Sequence, residues 1–185
     1  MNKKQVIIVT DGDSVAGKTV EKVGKQLNLR TISASIGNPT PIDGQTLIDY
    51  ILEAKGEPVL VMVDDCGNPA YGQGEALIQH MANHPDLDIL GAVAVASNAP
   101  GVEGVEVDCS IDCMANLVDV PVDKKGNPEA AGHKYVEGDT VDVLAQLDIP
   151  LIIGVGDIGK VKADHGKARA TARAVQEILN RSGIS

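Results

Sequence analysis

A chain of 185 residues with 43% hydrophobic residues and a formal charge of -10 is long enough for one hydrophobic core and short for two. The carboxylate excess argues against nucleic-acid phosphates and anionic lipid as partners, and the aromatic side chains (Tyr50, Tyr71 and Tyr135 alone) offer no stacking platform for single strands. Cys66, Cys109 and Cys113 form no CxxC pair, which excludes a disulfide scaffold and implies a reducing compartment.

The first apolar run, Val6-Ile7-Ile8-Val9, reads as a strand buried on both faces; it is short for a signal peptide. A helix from Ser14 to Leu27 follows, with Ala16, Val20, Val23 and Leu27 at helical spacing. A second strand covers Leu29 to Ala34. After Pro39 and Pro41 comes a helix with Leu47, Ile48, Ile51 and Leu52 on one face. The third strand, Val59 to Val63, ends in Asp64-Asp65, and a loop with Gly67, Gly72 and Gly74 leads into a helix reaching Asn83. A fourth strand spans Ile89 to Ala96. The runs 105–111 and 117–122 then suggest an inserted hairpin or edge pair. Residues 124–133 read as loop, 140–147 as a short helix and 150–153 as a last strand. A closing helix turns Ala168, Ala172, Val175 and Leu179 inward. No stretch approaches the ~18 apolar residues of a membrane span.

Alternating strands and helices imply a single α/β domain over 1–185: a doubly wound, mainly parallel three-layer sheet of the flavodoxin or Rossmann kind. Ligands of such sheets collect at the carboxyl ends of the strands. There the first strand places Asp11 and Asp13, and the third places Asp64 and Asp65. If the two strands are neighbours, these four acids form a candidate site for Ca²⁺ or Mg²⁺, both of which take hard oxygen ligands. Alternatively, Asp13 or Ser14 caps the first helix and Asp64 and Asp65 accept from loop amides.

Two glycine motifs offer phosphate-binding alternatives. Residues 12–19 carry Walker A spacing, with Gly12, Gly17, Lys18 and Thr19 in the motif positions and Asp64 as the Walker B acid. That reading implies a Mg²⁺-dependent phosphoryl-transfer or nucleotide-switch protein. Val15 and Ala16 stand where a further glycine would turn the loop amides inward, and the other reading is an ordinary helix start. The second motif, Gly154-Val155-Gly156-Asp157-Ile158-Gly159, matches a dinucleotide fingerprint, yet no strand follows it to carry a ribose-binding acid. A turn after a strand is the simpler reading. The stretch beyond holds Lys160, Lys162, His165, Lys167, Arg169 and Arg173, either a solvated face or a dock for an anion or acidic partner. His80 and His84 lie four apart without a third ligand, and no nucleophile elbow or catalytic Cys/His spacing is present.

Several stretches in order resemble the stage V sporulation protein AE family of spore-forming bacteria: Val-Thr-Asp-Gly-Asp at 9–13, Ser-Ile-Gly-Asn-Pro-Thr at 35–40, and Pro-Val-Leu-Val-Met-Val-Asp-Asp at 58–65. Gly-Ala-Val-Ala-Val-Ala-Ser-Asn at 91–98, Val-Asp-Cys-Ser-Ile-Asp at 107–112 and Ile-Ile-Gly-Val-Gly-Asp-Ile-Gly-Lys at 152–160 extend the likeness over nearly the whole chain. The resemblance implies a soluble accessory protein of sporulation and germination rather than an enzyme. Its partners would be the membrane proteins encoded with the family, which move calcium dipicolinate. It implies an intracellular place in the sporulating cell or spore, peripheral to the inner membrane through those partners. The charge and the lack of a long apolar run add the expectation of no nucleic acid and no direct insertion, and a homo-oligomer is a further expectation. The chain departs from the family pattern at Gly17-Lys18-Thr19, and at Cys113-Met114-Ala115-Asn116, where the resemblance implies a polar glycine turn.

Overall fold

In a computed structural model, which describes residues 3–66, 72–98, 101–162 and 167–184, strand β1 (Lys4–Val9) occupies the middle of the molecule. Alternate side chains of a strand face opposite ways. Val6 and Ile8 therefore enter one core, with Leu47, Ile48 and Ile51 of α2 (Gly44–Glu53) and Leu77, Ile78 and Met81 of α3 (Gln73–Ala82). Ile7 and Val9 enter a second core, with Ala16, Val20 and Val23 of α1 (Ser14–Gln26) and Val175, Ile178 and Leu179 of α4 (Arg169–Arg181). Two cores across one sheet give three layers. With no Phe or Trp in the chain, Val, Ile, Leu and Ala fill most of both, with Met81 in the first and Met62 and Cys109 in the second.

The sheet has seven strands in the order β2 (Arg30–Thr31), β3 (Val59–Met62), β1, β4 (Leu87–Val95), β9 (Ile152–Val155), β6 (Cys109–Ile111) and β7 (Leu117–Val118). All neighbours are parallel except β6 and β7. The chain builds outward from β1 to β3 and β2 on one side, and from β4 onward on the other. The reversal point lies between the carboxyl ends of β1 and β4, where open sheets of this class form a crevice. At that point Thr10 stitches the two strands: its amide donates to Val93 O (3.1 Å) and its Oγ1 accepts from Val95 N (3.0 Å).

The inserted hairpin is present as β6–β7, with Ser110 opposite Val118 and Ile111 opposite Leu117. The run 105–111 is not one strand. It divides into β5 (Val105–Glu106) and β6, because β5 leaves the main sheet to pair antiparallel with β8 (Tyr135–Val136). At the break, Asp108 Oδ2 accepts from Ile152 N (2.7 Å). The second strand is likewise shortened to Arg30–Thr31 by a 3-10 turn over Ser33–Ser35, and the helix expected at 140–147 is 3-10 over Asp142–Gln146. Gly67 and His165 lie outside the described residues.

The turn that closes the hairpin and a second turn after it share one construction. Asp112 Oδ1 accepts from the amides of Met114 and Asn116 (both 2.8 Å), and Asp123 Oδ1 accepts from those of Lys125 and Asn127 (both 2.8 Å). In each, the fourth residue is left-handed: Ala115 at φ 67 and Gly126 at φ 76. Only the second turn has the glycine that this conformation favours. Ala115→Gly should therefore stabilise the protein by about 0.5–1 kcal/mol, read as a higher urea midpoint at unchanged slope.

Candidate functional site

The site is built from the chain that leaves β1. Thr10-Asp11-Gly12-Asp13 crosses the sheet edge and enters α1, whose N-cap is Asp13; its Oδ1 accepts from Val15 N (2.8 Å) and Ala16 N (3.1 Å). That cap fixes Asp13 at the crevice, because its other oxygen stays free to face Lys160. Asp11 Oδ1 accepts from the Asp13 amide (3.2 Å). Because β3 is the neighbour of β1, Asp64 reaches across, and its Oδ2 accepts from Gly12 N (2.9 Å).

From the other side, β9 delivers Asp157. One carboxylate oxygen from each of Asp11, Asp13 and Asp157 lies within 4.8 Å of the other two. The three line a cavity of about 140 Å³ together with Asn38, Asp64 and Ser97. Lys160 spans its mouth, donating to Asp13 Oδ2 and to Asp157 Oδ1 (3.0 Å).

The electrostatics are uneven. Burial, reinforced by the charges of Asp13 and Asp64, pushes the Asp11 carboxyl up to about 7. Burial acts on Asp13 in the same direction, but the Lys160 ammonium and the amides of Ala16 and Val15 outweigh it and hold that carboxyl below the usual range. Lys160 is the reciprocal case. Burial disfavours its charge, and the two carboxylates more than compensate, so its proton is held more tightly than usual. The crevice is thus a carboxylate cage with one internal ammonium, and of the three clustered acids Asp11 is the one that this ammonium does not reach by hydrogen bond. Cages of oxygen ligands such as this can take Ca²⁺ or Mg²⁺ with water completing the shell.

The structure brings Asp11, Asp13 and Asp64 to one cavity, as the sequence suggested, and adds Asp157. It sends Asp65 elsewhere. Asp65 Oδ1 accepts from Gly74 N (3.3 Å) at the start of α3, beside Glu75, whose carboxyl is pushed up to about 7 by burial and then by Asp65. Successive residues of an extended chain point in opposite directions, so Asp64 and Asp65 cannot both face β1.

The phosphate-loop alternative does not take shape. Gly17, Lys18 and Thr19 lie inside α1, where Gly17 packs against Ile36, Lys18 is exposed and Thr19 Oγ1 donates to Val15 O (3.0 Å). The amides of Val15 and Ala16 that would cradle a phosphate are taken by Asp13. Lys18→Ala should leave stability within about 0.5 kcal/mol and should alter no ligand response in a thermal-unfolding assay with Mg²⁺-ATP or Mg²⁺-GTP.

The glycines of the second motif serve packing. Gly154 sits in β9 against Ser110 and Val136, and Gly156 admits the 123–127 turn, whose Gly126 N lies 2.6 Å from where a Cβ would stand. Gly159 turns the chain at φ 75 beside Val15 and Thr19. The motif does supply an acid to the crevice, Asp157, at a variable position of the glycine pattern that the sequence did not single out. Its signal was the one that singled out Asp11 and Asp64: an acid directly after an apolar strand.

A family model described as stage V sporulation protein AE1 matches residues 5–182 of the chain. No curated protein and no solved structure gives a match.

Proposed function

Because the chain belongs to the stage V sporulation protein AE1 family and so has a sporulation-related role, we propose that it is an accessory protein that binds one divalent cation, Ca²⁺ or Mg²⁺, at Asp11, Asp13 and Asp157. The observation that carries this reading is the convergence of those three carboxylates at the strand-reversal crevice. Asp64 supports the set from β3 by holding the Gly12 amide, and a cation would displace Lys160 from Asp13 and Asp157.

The cellular part of the proposal follows from the family. The protein would work beside the membrane proteins encoded with it, in the movement of calcium dipicolinate during sporulation and germination, and reach the spore inner membrane through them. No helix among the described residues is long and apolar enough to cross a membrane, which fits attachment through partners.

Calorimetric titration with CaCl₂ and MgCl₂ tests the site. One cation per chain is expected, with affinity reduced roughly tenfold or more by Asp157→Asn and left intact by Asp65→Asn. Absence of binding by either ion, or equal sensitivity to the two substitutions, would contradict the assignment.

A further inference from the structure

A second cavity, of about 440 Å³, opens between the 123–127 turn and the segment that follows β9. Its wall carries Lys124, Lys125, Lys160 and Lys162, with Asn127 and Cys113 between them. Four of the chain's 16 basic residues thus line one concavity in a protein of net charge -10. Lys160 is occupied by Asp13 and Asp157. Among the described residues, Lys124, Lys125 and Lys162 form no salt bridge. Lys125 is partly offset by the charge of Asp123 and Lys160 by Asp157, whereas Lys124 and Lys162 have no such pairing among the described residues. Like charges gathered this closely repel one another, and an anion in the cavity removes that cost.

The walls are fixed in advance. Lys124 O accepts from the Asp157 amide (2.9 Å), Gly126 O accepts from the Cys113 amide (2.7 Å), and Asn127 Nδ2 donates to Asp123 Oδ2 (3.1 Å). The 123–127 turn is therefore pinned both to the end of β9 and to the 112–116 turn, and Lys124 and Lys125 need no loop ordering to meet a ligand. The volume lies within the ~300–1,000 Å³ range of small-molecule sites. The donors are ammonium groups with no guanidinium among them. Flat, bidentate recognition of a carboxylate favours Arg, whereas Lys serves phosphate as a point charge.

We propose that this cavity binds a small molecule bearing a diphosphate or comparable cluster of phosphoryl groups, held by Lys124, Lys125 and Lys162. The site is distinct from the cation cage, although Asp157 and Lys160 line both. Its existence does not depend on that cage being occupied.

Inorganic pyrophosphate is the probe, titrated calorimetrically into the full chain in EDTA, with citrate as the carboxylate comparator. Pyrophosphate should bind once per chain and more tightly than citrate. Lys124→Gln and Lys162→Gln should each weaken it roughly tenfold, as expected for a lost charge-assisted contact. Lys25→Gln, a charge change of the same sign on α1, should not, and Asp11→Asn should retain binding even where it abolishes a cation response. Unchanged unfolding midpoints of the lysine variants in buffer show that the fold is intact. The proposal is overturned if pyrophosphate gives no heat, if Lys25→Gln weakens it as much as Lys124→Gln, or if citrate binds as tightly through the same lysines.

Discussion

Asp11→Asn should make the cation-free protein more stable at pH 8 while removing its response to Ca²⁺ or Mg²⁺. In the folded protein, burial and then the charges of Asp13 and Asp64 raise this carboxyl from 3.8 to about 7. Between those two values the native state keeps a proton that the unfolded chain has released. The contribution of Asp11 to stability is therefore fully present below about pH 4 and is lost as pH rises through about 7. At ~1.4 kcal/mol per unit, the ionised group costs up to about 4 kcal/mol at pH 8. Asparagine keeps an oxygen for the Asp13 amide and carries no charge. The variant's midpoint in EDTA should accordingly exceed the wild type's by up to roughly 8–16 °C at pH 8, with the gap closing toward pH 4. A divalent cation supplies the missing countercharge, so it should raise the wild type toward the variant and leave the variant unmoved. Thermal unfolding across pH, with and without cation, reads both effects; parallel curves for the two proteins would show that Asp11 is not the strained group.

The second large effect is steric. A Cβ on Gly12 would press against Gly37 O and Asp64 Cβ, both fixed parts of the crevice wall. Gly37 O is backbone, and Asp64 is held by Gly12 N and, at its own amide, by Thr40 Oγ1 (3.0 Å). Neither can retreat without opening the contact between the β1 and β3 ends. Gly12→Ala should cost about 3 kcal/mol or more, above ordinary overpacking because backbone must move. Urea unfolding measures it directly. A loss below about 0.5 kcal/mol, the usual surface value, would mean that the β1–β3 junction is looser than described.

The layers of the fold could be read from the sequence because their cause is local. Val6-Ile7-Ile8-Val9 admits no polar face, and such a strand requires helices on both sides of its sheet. The strand order could not be read that way. Pairing of β1 with both β3 and β4 joins residues more than fifty positions apart, and no spacing within either strand encodes it. The acids at strand ends were visible, but which of two consecutive acids faces the crevice depends on the exit of β3 from the sheet, and that exit sends Asp65 to α3. Asp157 was hidden by its neighbours, since three glycines close by mark the stretch as a turn after a strand and give no sign of which residue that turn aims at the crevice. Those glycines answer close approaches by Ser110 and Val136, by the 123–127 turn and by α1, which only the folded arrangement brings together. The Walker spacing, which left a phosphate loop and an ordinary helix start as alternatives, meets a related fact. Asp13 starts α1 so early that Gly17, Lys18 and Thr19 are already helical.

Anomalous diffraction from crystals soaked in MnCl₂ tests the cation cage most directly, because it locates the ion rather than inferring it from stability. The account predicts one strong peak in the crevice, roughly 2.0–2.6 Å from carboxylate oxygens of Asp11, Asp13 and Asp157, with Lys160 withdrawn from Asp13. An empty crevice with Lys160 still bridging Asp13 and Asp157, or a peak elsewhere such as beside His80 and His84, would contradict it.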